Sequence, residues 1–304
     1  MSSTRRSTAI DGHGDRPGLA KRVAHGPVRK LLPRRLRRGL LSLTAYPDTW
    51  RLVGDARSFR EFRRLENPPR RLMDPGTTVS VRFRPLAGAT VRLRPQTEDD
   101  GLARDVFFKS SHLPPAGVSA GELETIWDLG ANIGLTMAHM ATLYPRARII
   151  GVELDAGNAA LCHENLASWR DRCEVIPAAV WSTTGSVEYE RPEGRVQSFR
   201  VAGDEPADAL VNAPAISLDT LLERSGGGPI DYVKMDIEGA ERPVLRENTG
   251  WASHVRSIKV ELHAGYEIPE CIADLERLGF VAAPLPRHHA AVAAIRTQHD
   301  GFSR

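Results

Sequence analysis

Two groups of residues have the types and spacing for chemistry. The first is Asp128-Leu129-Gly130-Ala131-Asn132-Ile133-Gly134, which closes the apolar run TIWDL and opens a segment of helical period. After a strand, the amides of such a bend and of the next helix's N-terminus face a ligand, and glycines let that ligand approach closely. An acid beside the first glycine disfavours a pyrophosphate there and suits a cationic group. Glu153, which ends the next apolar run, stands where a carboxylate accepts ribose hydroxyls. The second group is DYVKMDIEGAE, residues 231–241. Asp236 and Glu238 end a strand at the edge where open α/β sheets bind ligands. Gly239 allows a sharp exit, and Glu241 falls in the first turn of the next helix, where an anion is favoured. Glu261 and His263 end the following strand, KVELH, on the same rim. Two acids one residue apart serve either as a general base with its neighbour or as ligands of a hard divalent cation, with Asp236 and Glu238 as the candidate metal ligands.

The first group asks for a ligand with a ribose and a cationic end but no phosphate, which is the pattern of S-adenosylmethionine. The alternative is an NAD(P)-dependent oxidoreductase of Rossmann type, whose acid also binds a ribose. Against it, the GxGxxG spacing is absent, since after Gly130 it is Asn132 that stands where the second glycine belongs. The cysteines Cys162, Cys173 and Cys271 are odd in number and form no CxxC pair, so they read as reduced, buried thiols. His139 and His163 fall inside expected helices as core or surface residues. His288 and His289 are adjacent in a loop and point apart, which excludes a shared metal.

These groups need elements to position them. Apolar runs at 125–129, 147–153, 173–180, 230–236, 257–262, 280–283 and 291–296 read as strands. Segments of helical period lie at 134–143, 156–168, 240–248 and 267–278. The alternation predicts an α/β fold with a Rossmann-like, doubly wound, mostly parallel sheet. The link LPRHHA between the last two runs is too short for a crossover, so the C-terminal strand is expected to be antiparallel. Upstream, residues 79–94 read as a β-hairpin and TEDDGLARDVFFKSSHL as a helix capped by Thr97 or Asp99. A second hairpin is expected over 186–201. Both hairpins and the loops near Glu261 are expected to build an acceptor pocket.

From about residue 79 to 296 the sequence resembles the FkbM-type methyltransferases, a branch of the class I S-adenosylmethionine-dependent enzymes. The resemblance rests on IWDLGANIG, IIGVELD, ISLDTLL, DYVKMDIEGAE, SIKVELH with LERLGF, and LRPQTEDD upstream. It implies O-methylation of a hydroxyl on a sugar or other secondary metabolite. By position it implies that Asp128, Gly130, Ala131, Asn132, Gly134 and Glu153 bind the cofactor. Asp236, Glu238, Glu261 and His263 then face the small-molecule acceptor, with Asp236 the first choice for base or metal ligand. Where the broader class has an acid or amide for adenine, this chain has PAAVW, which leaves backbone at Ala178 and Ala179.

Charge divides the chain. The first 75 residues carry 18 Lys and Arg against 7 Asp and Glu, and the rest carry 23 against 31. Residues 1–75 are therefore expected to be a basic, partly disordered extension, and 76–304 the catalytic domain. The basic, leucine-bearing stretch 28–43 suggests an amphipathic helix that packs on the domain or contacts an anionic membrane peripherally. An acidic body without a reading motif argues against nucleic acid. The first residues lack an apolar signal region, and no run approaches the length of a membrane span, so a cytoplasmic location is expected.

Overall fold

The computed structural model describes residues 47–65, 74, 76–95, 97–116, 118, 121, 123–190, 200–201, 210–263, 265–286 and 290–296. Its first elements form a side layer. Helix α1 (Ala56–Leu65) carries Phe62 and Leu65 on one face, and both are buried. Strands β1 (Val79–Arg82) and β2 (Thr90–Leu93) pair antiparallel as expected, with Val79, Val81, Val91 and Leu93 inward. Phe62 meets Phe83 edge-on at 5.6 Å. The boundary expected at residue 75 leaves α1 in the extension, but the structure ties it to the hairpin. Gly54 N donates to Arg82 O at 2.8 Å, and Arg82 N donates to Ser58 Oγ at 2.9 Å. The compact unit accordingly begins at Leu52 and runs to Arg304. Of the other unit, Met1–Arg51, residues 47–51 are described and are helical. The amphipathic stretch 28–43, the N-terminal 28 residues and His288 with His289 lie outside the described residues.

Helix α2 (Asp99–Arg104) continues as a wider π-turn over Asp105–Lys109. Thr97 Oγ1 accepts from Asp99 N at 3.2 Å and donates to Arg94 O, so it steadies the helix start from just outside it. The main sheet follows: β3 (Thr125–Leu129), α3 (Leu135–Leu143), β4 (Arg148–Glu153), α4 (Ala156–Asn165) and β5 (Cys173–Pro177). Period-two alternation puts Ile126 and Asp128 on one face of β3 and Trp127 and Leu129 on the other. The run expected at 173–180 divides. After Pro177, Ala178 N donates to Glu153 O at 2.9 Å, and β6 (Ala179–Val180) leaves for a second sheet. That sheet has the order β6-β9-β7-β8, from β7 (Gly185–Glu190), β8 (Arg200–Val201) and β9 (Leu210–Ile216). The antiparallel β7–β8 pair is the expected second hairpin, and β9 is an addition to the sequence reading.

The chain returns to the main sheet through α5 (Leu218–Arg224), β10 (Tyr232–Met235), α6 (Glu241–Arg246), β11 (Ser257–Glu261), α7 (Ile268–Arg277), β12 (Phe280–Pro284) and β13 (Ala291–Arg296). Seven strands stand in the order β12-β13-β11-β10-β3-β4-β5. β13 alone runs antiparallel, to both β11 and β12, as the short link requires. Helices α3 and α4 and the side layer cover one face, where Ile126 and Ile149 meet Met137, Ala138 and Leu161. Helices α5, α6 and α7 cover the other, where Trp127, Val233 and Ile258 meet Leu221, Leu245 and Leu275. Each large aliphatic side chain so buried contributes about 1.5–3 kcal/mol. Among the described residues no helix is long and apolar enough to cross a membrane.

A buried histidine pair joins the side layer to the sheet. His139 of α3 and His112, just past the π-turn, meet at 3.0 Å between Nδ1 and Nε2. Phe107 packs edge-on against His139, and Tyr232 Oη donates to the His112 carbonyl at 2.8 Å. Burial lowers the pKa of His112 well below the ordinary 6.5 and that of His139 to about 4. Both rings are thus neutral when folded, whereas the unfolded chain protonates them near 6.5. Acid below that pH favours unfolding, and the penalty grows until His139 itself protonates near 4. Thermal unfolding followed from pH 7 to pH 4 is therefore expected to show a loss of stability that H139Q lessens. Equal losses in the two proteins contradict the assignment.

Candidate active site

The bend after β3 is pinned from two sides. Gly130 N and Ala131 N both donate to Val152 O of β4, at 2.9 and 3.0 Å. Gly130 has φ +84°, and a Cβ there would lie 1.8 Å from the carbonyl oxygen of Asp236, so only glycine lets β3 and β10 close up at their tips. Gly134 has φ +83°, and its Cβ would meet Cys162 Sγ at 2.7 Å. It therefore sets the packing of α3 on α4. Over the bend opens a cavity of about 270 Å³, running from Glu153 and Ala179 past Gly130, Ala131 and Asn132 to Asp236, Glu238 and Glu261.

Asp128 is not on its surface. Its side chain is fully buried beneath the bend, where it accepts a hydrogen bond from Thr136 Oγ1 and lies 3.3 Å from Lys234 Nζ. The lysine also donates to Gly130 O at 2.9 Å and stands 3.2 Å from Asp236 Oδ2. Burial opposes its charge, but the carboxylates of Asp128 and Asp236 outweigh burial and raise its pKa. The expected direct contact of Asp128 with a cationic ligand is corrected accordingly: a cation of the protein's own already occupies that position. Gly134 likewise sits off the cavity wall, with Cys162 against it.

Glu153 does line the cavity. Its Oε2 accepts from Asn132 N at 2.8 Å, and its Oε1 accepts from Asp155 N at 2.9 Å and Asn158 Nδ2 at 3.3 Å. A carboxylate offers about four acceptor sites. Three are filled, so Glu153 has room at Oε2 for one incoming hydroxyl, where the sequence reading gave it both. Burial raises its pKa, against these donors. The network continues outward: Arg94 Nη1 donates to Asn158 Oδ1 at 2.8 Å, while its Nε and Nη2 grip both oxygens of buried Asp99 at 3.1 and 2.9 Å. LRPQTEDD thus connects the side layer to the carboxylate at the cavity end. Ala178 and Ala179 border the cavity beside Glu153.

At the other end, Asp236 and Glu238 project into the cavity from the tip of β10, Glu238 with φ +54°. His263 stands behind them, its Nε2 at 3.6 Å from Asp236 Oδ1 and 3.4 Å from Glu238 Oε2. Its Nδ1 meets Glu241 Oε1 at 2.7 Å. Glu241 is fully buried and also accepts from Ile237 N and Gly239 N at 3.2 and 3.0 Å, so it holds the strand exit and orients the imidazole together. Burial works against protonation of His263, but Glu241 and then Glu238 and Asp236 push its pKa up to about 9. Burial raises Glu238 to about 7, with the His263 charge opposing. Asp236, Glu238 and His263 each offer a ligand atom within 4.8 Å of one another. Three of the four expected catalytic residues, Asp236, Glu238 and Glu261, therefore line one end of the cavity, and His263 sits behind them, off its wall.

Two expectations about the walls change. Residues of α2 and the π-turn, among them Leu102, Val106 and Lys109, line the cavity where hairpin 79–94 was expected. The hairpin packs behind them, through Phe83 on Phe107 at 4.9 Å. Among the described residues of β7 and β8, none lines the cavity. The residues that sequence reasoning missed are Lys234, Lys259 and His112, all on its walls. A signal for the first existed: Lys234 lies two residues before Asp236 on a strand, and so on the same face.

Known proteins are similar to the chain in sequence and in fold. The hexuronic acid methyltransferase AglP of Haloferax volcanii is 28% identical over 151 residues, covering 49% of this chain and 59% of AglP. This chain thus spans less than two thirds of that relative's length. The 2-O-methyltransferase NoeI of Sinorhizobium fredii is 25% identical over 182 residues, covering 53% of this chain and 74% of NoeI. Among solved structures, Aeropyrum pernix fibrillarin with natively bound S-adenosyl-L-methionine aligns at a TM-score of 0.36 and 20% identity, covering 64% of this chain and 74% of that one. Residues 128–282, from the acid under the bend to the penultimate strand, match the methyltransferase FkbM domain, and the chain belongs to that family.

Proposed function

We propose that the protein is an S-adenosylmethionine-dependent methyltransferase that O-methylates a hydroxyl of a sugar or related metabolite. The observation that carries this reading is the pairing, in one cavity, of a fixed carboxylate beside a glycine-bearing bend with a second set of carboxylates at the opposite end. The names of the two relatives, a hexuronic acid methyltransferase and a 2-O-methyltransferase, support the oxygen acceptor. When bound, S-adenosylmethionine supplies a methyl group on a sulfonium. Glu153 would take one ribose hydroxyl through Oε2, the bend at Gly130–Asn132 the amino acid end, and Ala178 and Ala179 the adenine edge.

An alcohol attacks poorly while protonated, so a positioned base aids the transfer in addition to alignment. Asp236, the first choice from sequence, is engaged from two sides, by Lys234 at 3.2 Å and by His263 at 3.6 Å. Glu238 has only His263 within ion-pair distance among the described residues. Its left-handed backbone, which costs about 1–3 kcal/mol in a non-glycine residue, is retained at the cavity wall. We assign the base to Glu238 and the anchoring of Lys234 and His263 to Asp236, with Glu261 bordering the acceptor. The metal reading uses Asp236, Glu238 and His263 as ligands, and it requires the imidazole to give up its proton.

E153Q keeps the shape of the side chain and removes its charge. Calorimetry is expected to show S-adenosylmethionine binding at least tenfold weaker than wild type. Unchanged affinity, or a wild type that binds NAD(P) instead, contradicts the cofactor site. E238Q is expected to lower methyl transfer to methyl glycosides about 100-fold or more, within the range for a lost general base, while cofactor affinity stays within threefold. Full activity in E238Q removes the base assignment. Loss of wild-type activity in EDTA with recovery on added magnesium replaces it with the metal.

A further inference from the structure

Lys259 is one of five lysines in the chain, and it stands beside Lys234 in register across β10 and β11. Parallel pairing puts both side chains on the same face of the sheet, in the wall of the same cavity. Their surroundings differ. Lys234 has two carboxylates within 3.3 Å. The Lys259 ammonium donates to the backbone oxygen of Ser111 at 3.1 Å, and among the described residues no carboxylate lies within 4.0 Å of it. It is half-buried, and burial lowers its pKa with no other cause set against it. A partly desolvated cation without a counter-charge is costly unless an anion joins it.

Lys259 stands beside a strand that carries short side chains. Its neighbour across β11–β13 is Ala293, and that of Glu261 is Ala291. Short side chains there leave the cavity open over β13, on the side away from Glu153. In strand order, Glu153 lies on β4, the bend follows β3, Asp236 and Glu238 follow β10, and Lys259 lies on β11. Lys259 stands one strand spacing, about 4.8 Å, from Lys234, and Glu261, two residues further along β11, shares its face and the same cavity wall.

We propose that Lys259 is a specificity residue that binds a carboxylate carried by the acceptor, so that the preferred substrate is an acidic sugar of the uronic acid class. The proposal rests on the methyltransferase reading for which end of the cavity is the acceptor's. Its test uses the full chain loaded with S-adenosylhomocysteine, with methyl β-glucuronoside and methyl β-glucoside as matched probes in calorimetry and saturation-transfer NMR. The glucuronoside is expected to bind at least tenfold more tightly than the glucoside, and K259M to erase that difference. K259R keeps the charge and is expected to retain most of it, which guards against a folding defect in the first variant. S-adenosylhomocysteine is expected to bind K259M within threefold of wild type. Equal binding of the two probes, binding of neither, or a preference that survives in K259M overturns the proposal. So does a K259M variant that loses S-adenosylhomocysteine, since the anion is then the cofactor's own carboxylate. A wild type that fails to bind S-adenosylhomocysteine at all refutes instead the methyltransferase reading.

Discussion

One ammonium group sets the arrangement of this site. Lys234 Nζ lies among the buried Asp128 carboxylate of β3, the Gly130 carbonyl of the bend and the Asp236 carboxylate at the end of its own strand. None of these groups is tolerable there alone: an unpaired charge in an apolar interior costs several kcal/mol. Together they balance one another's charge, with Thr136 donating to the second oxygen of Asp128. The bend is held by its carbonyl from below and by the β4 carbonyl of Val152 from the side. Its amide at Asn132 is then aimed at Glu153, to which it donates at 2.8 Å.

From that centre two polar paths run through otherwise apolar packing. One goes through Glu153 to Asn158, Arg94 and Asp99, and it ties one cavity wall, built by α2, to the carboxylate at the far end. The other goes through Asp236 to His263 and Glu241, where a buried acid fixes both the strand exit and the imidazole. Glu153, Asp236 and His263 sit at the carboxyl end of a strand or in the turn after it, where side chains converge, and Asn158, Asp99 and Glu241 meet them from the first turns of helices. Rigid strands hold these groups, so a ligand meets a site already arranged.

The sheet was legible because its strands are buried on both faces and read as unbroken apolar runs, with helical period between them. The antiparallel last strand followed from the length of one loop. Less legible was anything set by side-chain direction across strands. Asp128 reads as a ligand contact in one dimension. Only the register that places Lys234 opposite it shows that the acid is answered from within. The break at Ala178 and the strand Leu210–Ile216 belong to pairing in a second sheet, which local pattern does not encode. Helix α1 was assigned to the extension because arginines dominate ARSFREFRRL, although Phe62 and Leu65 carry its packing face. The candidate acids Asp236, Glu238 and Glu261 were found because strand ends are marked by glycine and polar residues. The lysines were passed over because each stands singly within an apolar run.

The claim that Lys234 is the organising charge is tested most directly by a double-mutant cycle in denaturant unfolding, using K234M, D128N and both together. Removing the cation alone leaves Asp128 buried and unanswered, so K234M is expected to lose about 3–5 kcal/mol. Adding D128N removes the stranded charge and is expected to restore a large part of that loss. A K234M loss below about 1 kcal/mol, or a double variant whose loss is the sum of the two singles, contradicts the account.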